Sequence, residues 1–253
     1  MNRNFSRTLL TASLVLIMGI VHGQDTTATD WRSTPNLVKW NFGALAFKSI
    51  SFQYERAVGN KMSVALGLKS MPKSGVPFKS LLEDAIDDDD TWNSIKDLKM
   101  GNFAITPEVR FYLGESVFKG FYIAPFARYA KYDFTIPFAY TNIDGVEERA
   151  NFDGNVNTFT GGVLVGAQFK LNKGFYLDWW ILGPNWGTSN GTLSAYKTLN
   201  PIEQEILRTE LNNFADDVPI VKLKPSVDGS GAKIKVDGPW GGLRSGLSIG
   251  YKF

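Results

Sequence analysis

Cysteine is absent from the 253 residues, and the one histidine is His22. Without cysteine there is no disulfide framework, no thiolate nucleophile and no lipid-bearing N-terminal cysteine. With no histidine after position 22, serine–histidine–aspartate catalysis, histidine metal sites and imidazole acid–base chemistry are excluded from the rest of the chain. A helical membrane span is missing at the start as well, because the apolar run Leu9 to Val21 is too short to cross a bilayer. Flanked by Arg3 and Arg7 on one side and Gly23 on the other, that run has the pattern of a cleaved secretory signal peptide over residues 1–23. Its removal takes two from the 27 basic residues and leaves them level with the 25 acidic ones. No basic excess remains to attract nucleic acid.

What is present is aromatic and turn-forming: 18 Phe, 9 Tyr, 7 Trp and 25 Gly. That balance favours an all-β chain. After a polar lead at 24–35, period-two alternation begins at Asn36 and recurs to the last residue, predicting a single β domain over 36–253. Val38, Trp40, Phe42, Ala44 and Ala46 share one face of the first segment, Asn36 to Phe47. The last segment sets Leu247, Ile249, Tyr251 and Phe253 against Gly246, Ser248, Gly250 and Lys252. Short turns (57–61, 114–120, 171–174) alternate with long connections (70–100, 133–155, 184–240), as the two rims of a transmembrane barrel would. The expected fold is an antiparallel up-and-down β-barrel of about eight strands, with long external loops and one short loop helix.

Alternation does not say which face points outward, and a secreted soluble barrel has the same period. Two features favour the apolar face outside. The other face carries small residues (Gly43, Ala65, Gly67, Ala124, Gly162, Gly166, Gly246, Gly250) suited to a crowded lumen. Aromatics (Trp40, Tyr54, Tyr129, Phe169, Phe175, Tyr251) fall near strand ends, as an interfacial girdle requires. The lumen then receives Lys39, Glu55, Glu108, Arg110, Arg128, Asp178 and Arg244. Isolated buried ions are costly, so these charges are expected to pair in a structural network. Catalysis by Glu108 and Asp178 is the competing reading.

Asp87 to Asp90 lacks the spaced ligands and glycine of a calcium loop, which reads as a solvated acidic tip. Asn200-Pro201 reads as a helix start, with Ile202, Ile206, Leu207, Leu211 and Phe214 on one side up to Ala215. The segment 218–236 alternates lysines with apolar residues and suggests a hairpin above the membrane.

Three stretches, Phe52-Gln-Tyr-Glu-Arg56, Thr106-Pro-Glu-Val-Arg-Phe-Tyr112 and Leu177-Asp-Trp-Trp-Ile-Leu-Gly-Pro184, carry a family likeness. They resemble a family of small outer-membrane β-barrels of Bacteroides-group bacteria, and more broadly the OmpA- and OmpX-type barrels. The resemblance implies an integral protein of the Gram-negative outer membrane, without catalytic residues to transfer. The expected role is non-enzymatic: structure, adhesion or surface interaction through long extracellular loops. No catalytic, metal or cofactor residue is assigned. A lipid-modifying hydrolase or protease and a narrow channel are the alternatives. Expected partners are outer-membrane lipids and lipopolysaccharide, an extracellular partner, and the barrel-assembly machinery acting on Leu247, Ile249, Tyr251 and Phe253. The folded chain should migrate differently on a detergent gel before and after boiling; a protein recovered in the soluble fraction and indifferent to heat would refute the membrane barrel.

Overall fold

The computed structural model describes residues 35–75, 77–79, 96–217 and 221–253. The expected signal peptide, most of the polar lead and Asp87 to Asp90 lie outside the described residues. Among the described residues nine strands form one antiparallel sheet: β1 (Asn36–Asn41), β2 (Ile50–Gly59), β3 (Met62–Gly75), β4 (Lys99–Tyr112), β5 (Gly120–Thr141), β6 (Glu147–Asn172), β7 (Phe175–Tyr196), β8 (Lys222–Asp228) and β9 (Gly231–Lys252). Neighbours in sequence are neighbours in the sheet until β7, which pairs with β9; β9 then pairs with β1 through Leu37↔Lys252 to Asn41↔Ser248 and closes the ring. The barrel of the described residues therefore has eight staves, and β8 is not one of them; it pairs with the first third of β9, from Lys222↔Asp237 to Asp228↔Gly231.

The apolar face points outward. Val38, Phe52, Val64, Leu66, Leu68, Ile123, Val163 and Val165 are exposed, whereas Lys39, Gln53, Glu55, Glu108, Arg110 and Asp178 are buried. This inversion of a water-soluble barrel defines an outer-membrane-type wall. Trp40, Tyr54, Tyr129, Phe175 and Tyr251 are exposed as a girdle needs, but Phe169 is buried.

Two expectations need correction. The first strand stops at Asn41 rather than Phe47, because the Asn41 side chain accepts the Ala44 N–H at 3.0 Å and starts a 3-10 helix, Phe42–Phe47. Lys48, at φ 52, closes that helix in the left-handed region. Second, 133–155 and 184–240 are not mainly loops. β5 and β6 run on, paired from Asp133↔Asn155 to Thr141↔Glu147, and β7 and β9 pair to Tyr196↔Gly231. Polar composition misleads there because both faces of these extensions lie beyond the apolar belt, where alternation of an apolar outer face no longer applies.

The extensions carry their own core. Helix α1 (Pro201–Asp217) begins with a capping box: Asn200 Oδ1 accepts from the N–H groups of Ile202 and Glu203, both at 2.9 Å, and Glu203 accepts from the Asn200 N–H at 2.8 Å. Its buried Leu207 and Leu211 pack with Tyr140, Ala150, Phe152, Leu193, Ala195, Leu199, Ala232 and Ile234. Of the expected apolar stripe, Ile202 and Phe214 remain exposed. β8 supplies Leu223 and Val227 to the same cluster, and Arg208 donates to the Val227 carbonyl at 3.1 Å. The segment expected as a hairpin is thus β8 turning into β9. Leu211→Ala should cost about 2–5 kcal/mol within this cluster. Limited proteolysis should accelerate near α1 while the heat-dependent gel shift of the barrel persists; unchanged proteolysis would show that α1 is not held by Leu211.

Candidate functional site

The lumen is filled in layers. At the short-turn end, the β4–β5 connection turns inward and carries Val117 and Phe118 to a cluster with Leu37, Ala57, Tyr112, Tyr122, Leu164 and Tyr176. Phe118 has φ 66 and is almost wholly buried, and the Val117 N–H is fixed to the Asn60 carbonyl at 2.5 Å. This connection is a stopper rather than a simple turn.

Above it lies the ionic layer. Arg110, on β4, is fully buried. Its guanidinium donates to Glu108 Oε1 at 2.6 Å, Asp178 Oδ2 at 2.7 Å, Gln53 Oε1 at 2.9 Å and Glu55 Oε2 at 3.3 Å. Lys39 Nζ binds Asp178 Oδ2 at 2.5 Å and also pairs with Glu55. Arg244 grips Glu108 Oε2 with both terminal nitrogens at 3.0 Å, its guanidinium lying 4.4 Å from the Phe126 ring centre. Neutral donors complete the shells: Tyr122 and the Trp180 indole reach Asp178 at 2.7 and 3.0 Å, and Ser63 and Tyr112 reach Glu55. Gln168 accepts from Arg110 Nη1 at 3.3 Å. Every stave of the ring contributes at least one of these side chains.

Lys39, Arg110 and Arg244 balance Glu55, Glu108 and Asp178, so the layer is neutral. Bare burial of one such ion costs several kcal/mol, which only this density of opposite charge and hydrogen bonds offsets. Glu108 and Asp178 have their oxygens committed to cations and donors, an arrangement suited to holding strands together rather than to accepting a substrate proton.

Six of the seven expected lumen charges meet here. Arg128 does not. It is half-buried, donates to Thr106 Oγ1 at 3.2 Å, and makes no ion pair with a carboxylate among the described residues. Its place on β5 is nearer the long-hairpin end than Tyr122, above the reach of Glu108 and Asp178, so sharing a face with the network is not enough to join it. The sequence reading set Gln53, Ser63, Tyr122 and Trp180 on lumen faces but named none of them, nor Tyr112 and Gln168, as members of the network. Strand parity could have found them, since each lies an even number of residues from a lumen charge or opposite one across a strand pair.

Small lumen residues make room for the layer. A Cβ on Gly166 would sit 2.3 Å from the Tyr122 hydroxyl and 2.8 Å from the Trp179 carbonyl, and one on Gly250 would sit 2.7 Å from Lys39 Cγ. Either would displace a network side chain.

A family model described as Protein of unknown function (DUF3575) matches residues 14–184. The chain belongs to that family. None of the curated proteins matches it. Among solved structures it is similar to the N-terminal β-barrel domain of Pseudomonas aeruginosa OprF (8% identity, TM-score 0.26, 87% of this chain and 98% of that one). A major outer membrane protein from Thermus thermophilus is similar over 86% of this chain and 97% of its own, at 12% identity and TM-score 0.36. The translocator domain of autotransporter NalP from Neisseria meningitidis is similar over 99% of this chain and 98% of its own, at 11% identity and TM-score 0.34. In this DUF3575 chain, ring closure and the outward apolar face define the barrel directly.

Arg110→Met should destabilise the folded barrel by about 3–5 kcal/mol, because it leaves three buried carboxylates facing only Lys39 and Arg244, one positive charge short. Urea unfolding in detergent, followed by tryptophan fluorescence, measures this; a loss below about 1 kcal/mol would show that the network is dispensable.

Proposed function

We propose that this protein is an integral, non-enzymatic barrel of the Gram-negative outer membrane, of the Bacteroides-group kind its sequence resembles, whose long-hairpin end is a rigid external platform for structural or adhesive contact. The observation that carries this reading is the second hydrophobic cluster, built on strand extensions and covered by α1. A bilayer is crossed by about 9–11 strand residues. β5, β7 and β9 have 22 residues each and β6 has 26, so roughly half of each stands clear of the apolar belt. Flexible loops would suffice to join staves; a packed superstructure suits a surface that must keep its shape.

The stopper and the ionic layer fill the lumen below the platform, which favours a structural role over conduction. The same engagement of Glu108 and Asp178 favours it over hydrolysis. Membrane lipids and lipopolysaccharide would surround the outward face, and the assembly machinery would read Leu247, Ile249, Tyr251 and Phe253.

The missing cysteine makes a clean test possible. Glu210→Cys, on the exposed side of α1, should react with a membrane-impermeant maleimide on intact cells. Labelling only after lysis would reverse the orientation. Tyr196 and Gly231 are register partners, so residues 197–230 can be replaced by a short Gly-Ser turn. That variant should keep its gel shift and lose any adhesion or cell aggregation that the full chain confers; unchanged adhesion would remove the platform from the account.

A further inference from the structure

Above the neutral ionic layer the lumen opens into a chamber of about 370 Å³. Its walls come from every stave of the ring and from the 3-10 helix, and they include Lys69, Arg128 and Arg244. No carboxylate lines it among the described residues. Arg244 is spent on Glu108 in the layer below. Lys69 and Arg128 are not engaged by a carboxylate among the described residues; Arg128 bonds to the neutral side chains of Thr106 and Tyr132. Neither makes an ion pair among the described residues, and each stands close enough to Arg244 to be repelled by it. Two positive charges are therefore held together, half out of water, with no carboxylate against them among the described residues. That is unfavourable for an empty structural lumen, where the layer beneath shows charges balanced in number.

A second observation marks the same place. Thr160, 2% exposed and part of the chamber wall, has a hydroxyl without any hydrogen-bond partner. Such an orphan has an explanation when a ligand supplies the missing partner. Asn102, Asn185 and Trp240 line the space as well, adding donors and an aromatic face.

We propose that this chamber binds a phosphate monoester. At neutral pH such a group carries nearly two negative charges and presents three strong acceptor oxygens, which match Lys69, Arg128 and the Thr160 hydroxyl. The chamber has room for more than phosphate itself, as a built ligand site does. Access is by way of β9: residues 238–247 pair with β7 on one side, but on the other β8 ends at Asp237 and β1 begins at Ser248. In part of this break the 3-10 helix stands in for strand pairing, Gly43 lying against Leu247, and the stretch beside exposed Leu243 and Phe47 would be the route for a soluble ester or one borne by a lipid.

The full chain refolded in detergent is titrated calorimetrically with glucose 6-phosphate and with dioctanoyl phosphatidic acid, against glucose and dioctanoyl phosphatidylcholine. Saturable binding of one or both phosphate monoesters, with neither control bound, is expected. The arm that binds identifies whether the source is soluble or lipidic. Lys69→Met should weaken binding about tenfold and the Lys69→Met/Arg128→Gln pair about a hundredfold, with the heat-dependent gel shift intact. Thr160→Val should weaken it by a smaller factor, and Lys131→Met, at an exposed pair with Asp133, should leave it unchanged. No saturable binding by gel-shifted protein would overturn the proposal. So would equal affinity in the double variant, or a control that binds as well as the esters.

Discussion

An arginine removed from water must be surrounded by acceptors and by negative charge, and Arg110 sets that demand for the whole barrel. Glu55, Glu108 and Asp178 reach it from β2, β4 and β7. Once they do, Lys39 and Arg244 are needed to neutralise what one guanidinium cannot. The resulting layer touches all eight staves, including β1 and β9, whose pairing closes the ring. A slip of one residue in any stave would turn its lumen side chain toward the apolar exterior. Register is therefore fixed by electrostatics, since the outward apolar face is tolerant of many residue types.

The same requirement explains the composition of the lumen wall. Side chains as large as tyrosine and lysine lie down over the neighbouring stave only where it is bare, and Gly166 beside Tyr122 and Gly250 beside Lys39 provide that space. Below, the inward-turned Val117 and Phe118 keep water from the short-turn side of the charges. Above, the balance is broken, because Lys69 and Arg128 meet no acid among the described residues. The structure thus separates two uses of buried charge within one lumen. One is paired with carboxylates and holds strands together; the other has no carboxylate partner among the described residues.

Much of this was legible in the chain. Period-two alternation marked the staves, their number and the two faces of each, because a strand's side chains must alternate across the wall. The small residues on the polar face correctly marked it as the lumen. Asn200-Pro201 announced α1, since its cap geometry is local. Two features were not legible. The 3-10 helix at Phe42–Phe47 interrupts a segment whose apolar spacing suits a strand, and only the side chain of Asn41, set by its place in the wall, decides otherwise. Strand extensions over 133–155 and 184–196 read as loops because a strand outside the belt has no reason to show an apolar outer face.

By itself, then, the sequence determined the architecture, the absence of thiol and histidine chemistry after position 22, and the set of charges sent to the lumen. These follow from residue type and parity, which are properties of one strand at a time. Only the tertiary structure decided which charges meet. Height along the barrel depends on strand stagger, a collective quantity that no single stave encodes. Stagger brings Arg110 level with Asp178, 68 residues away, and leaves Arg128 above them beside Lys69.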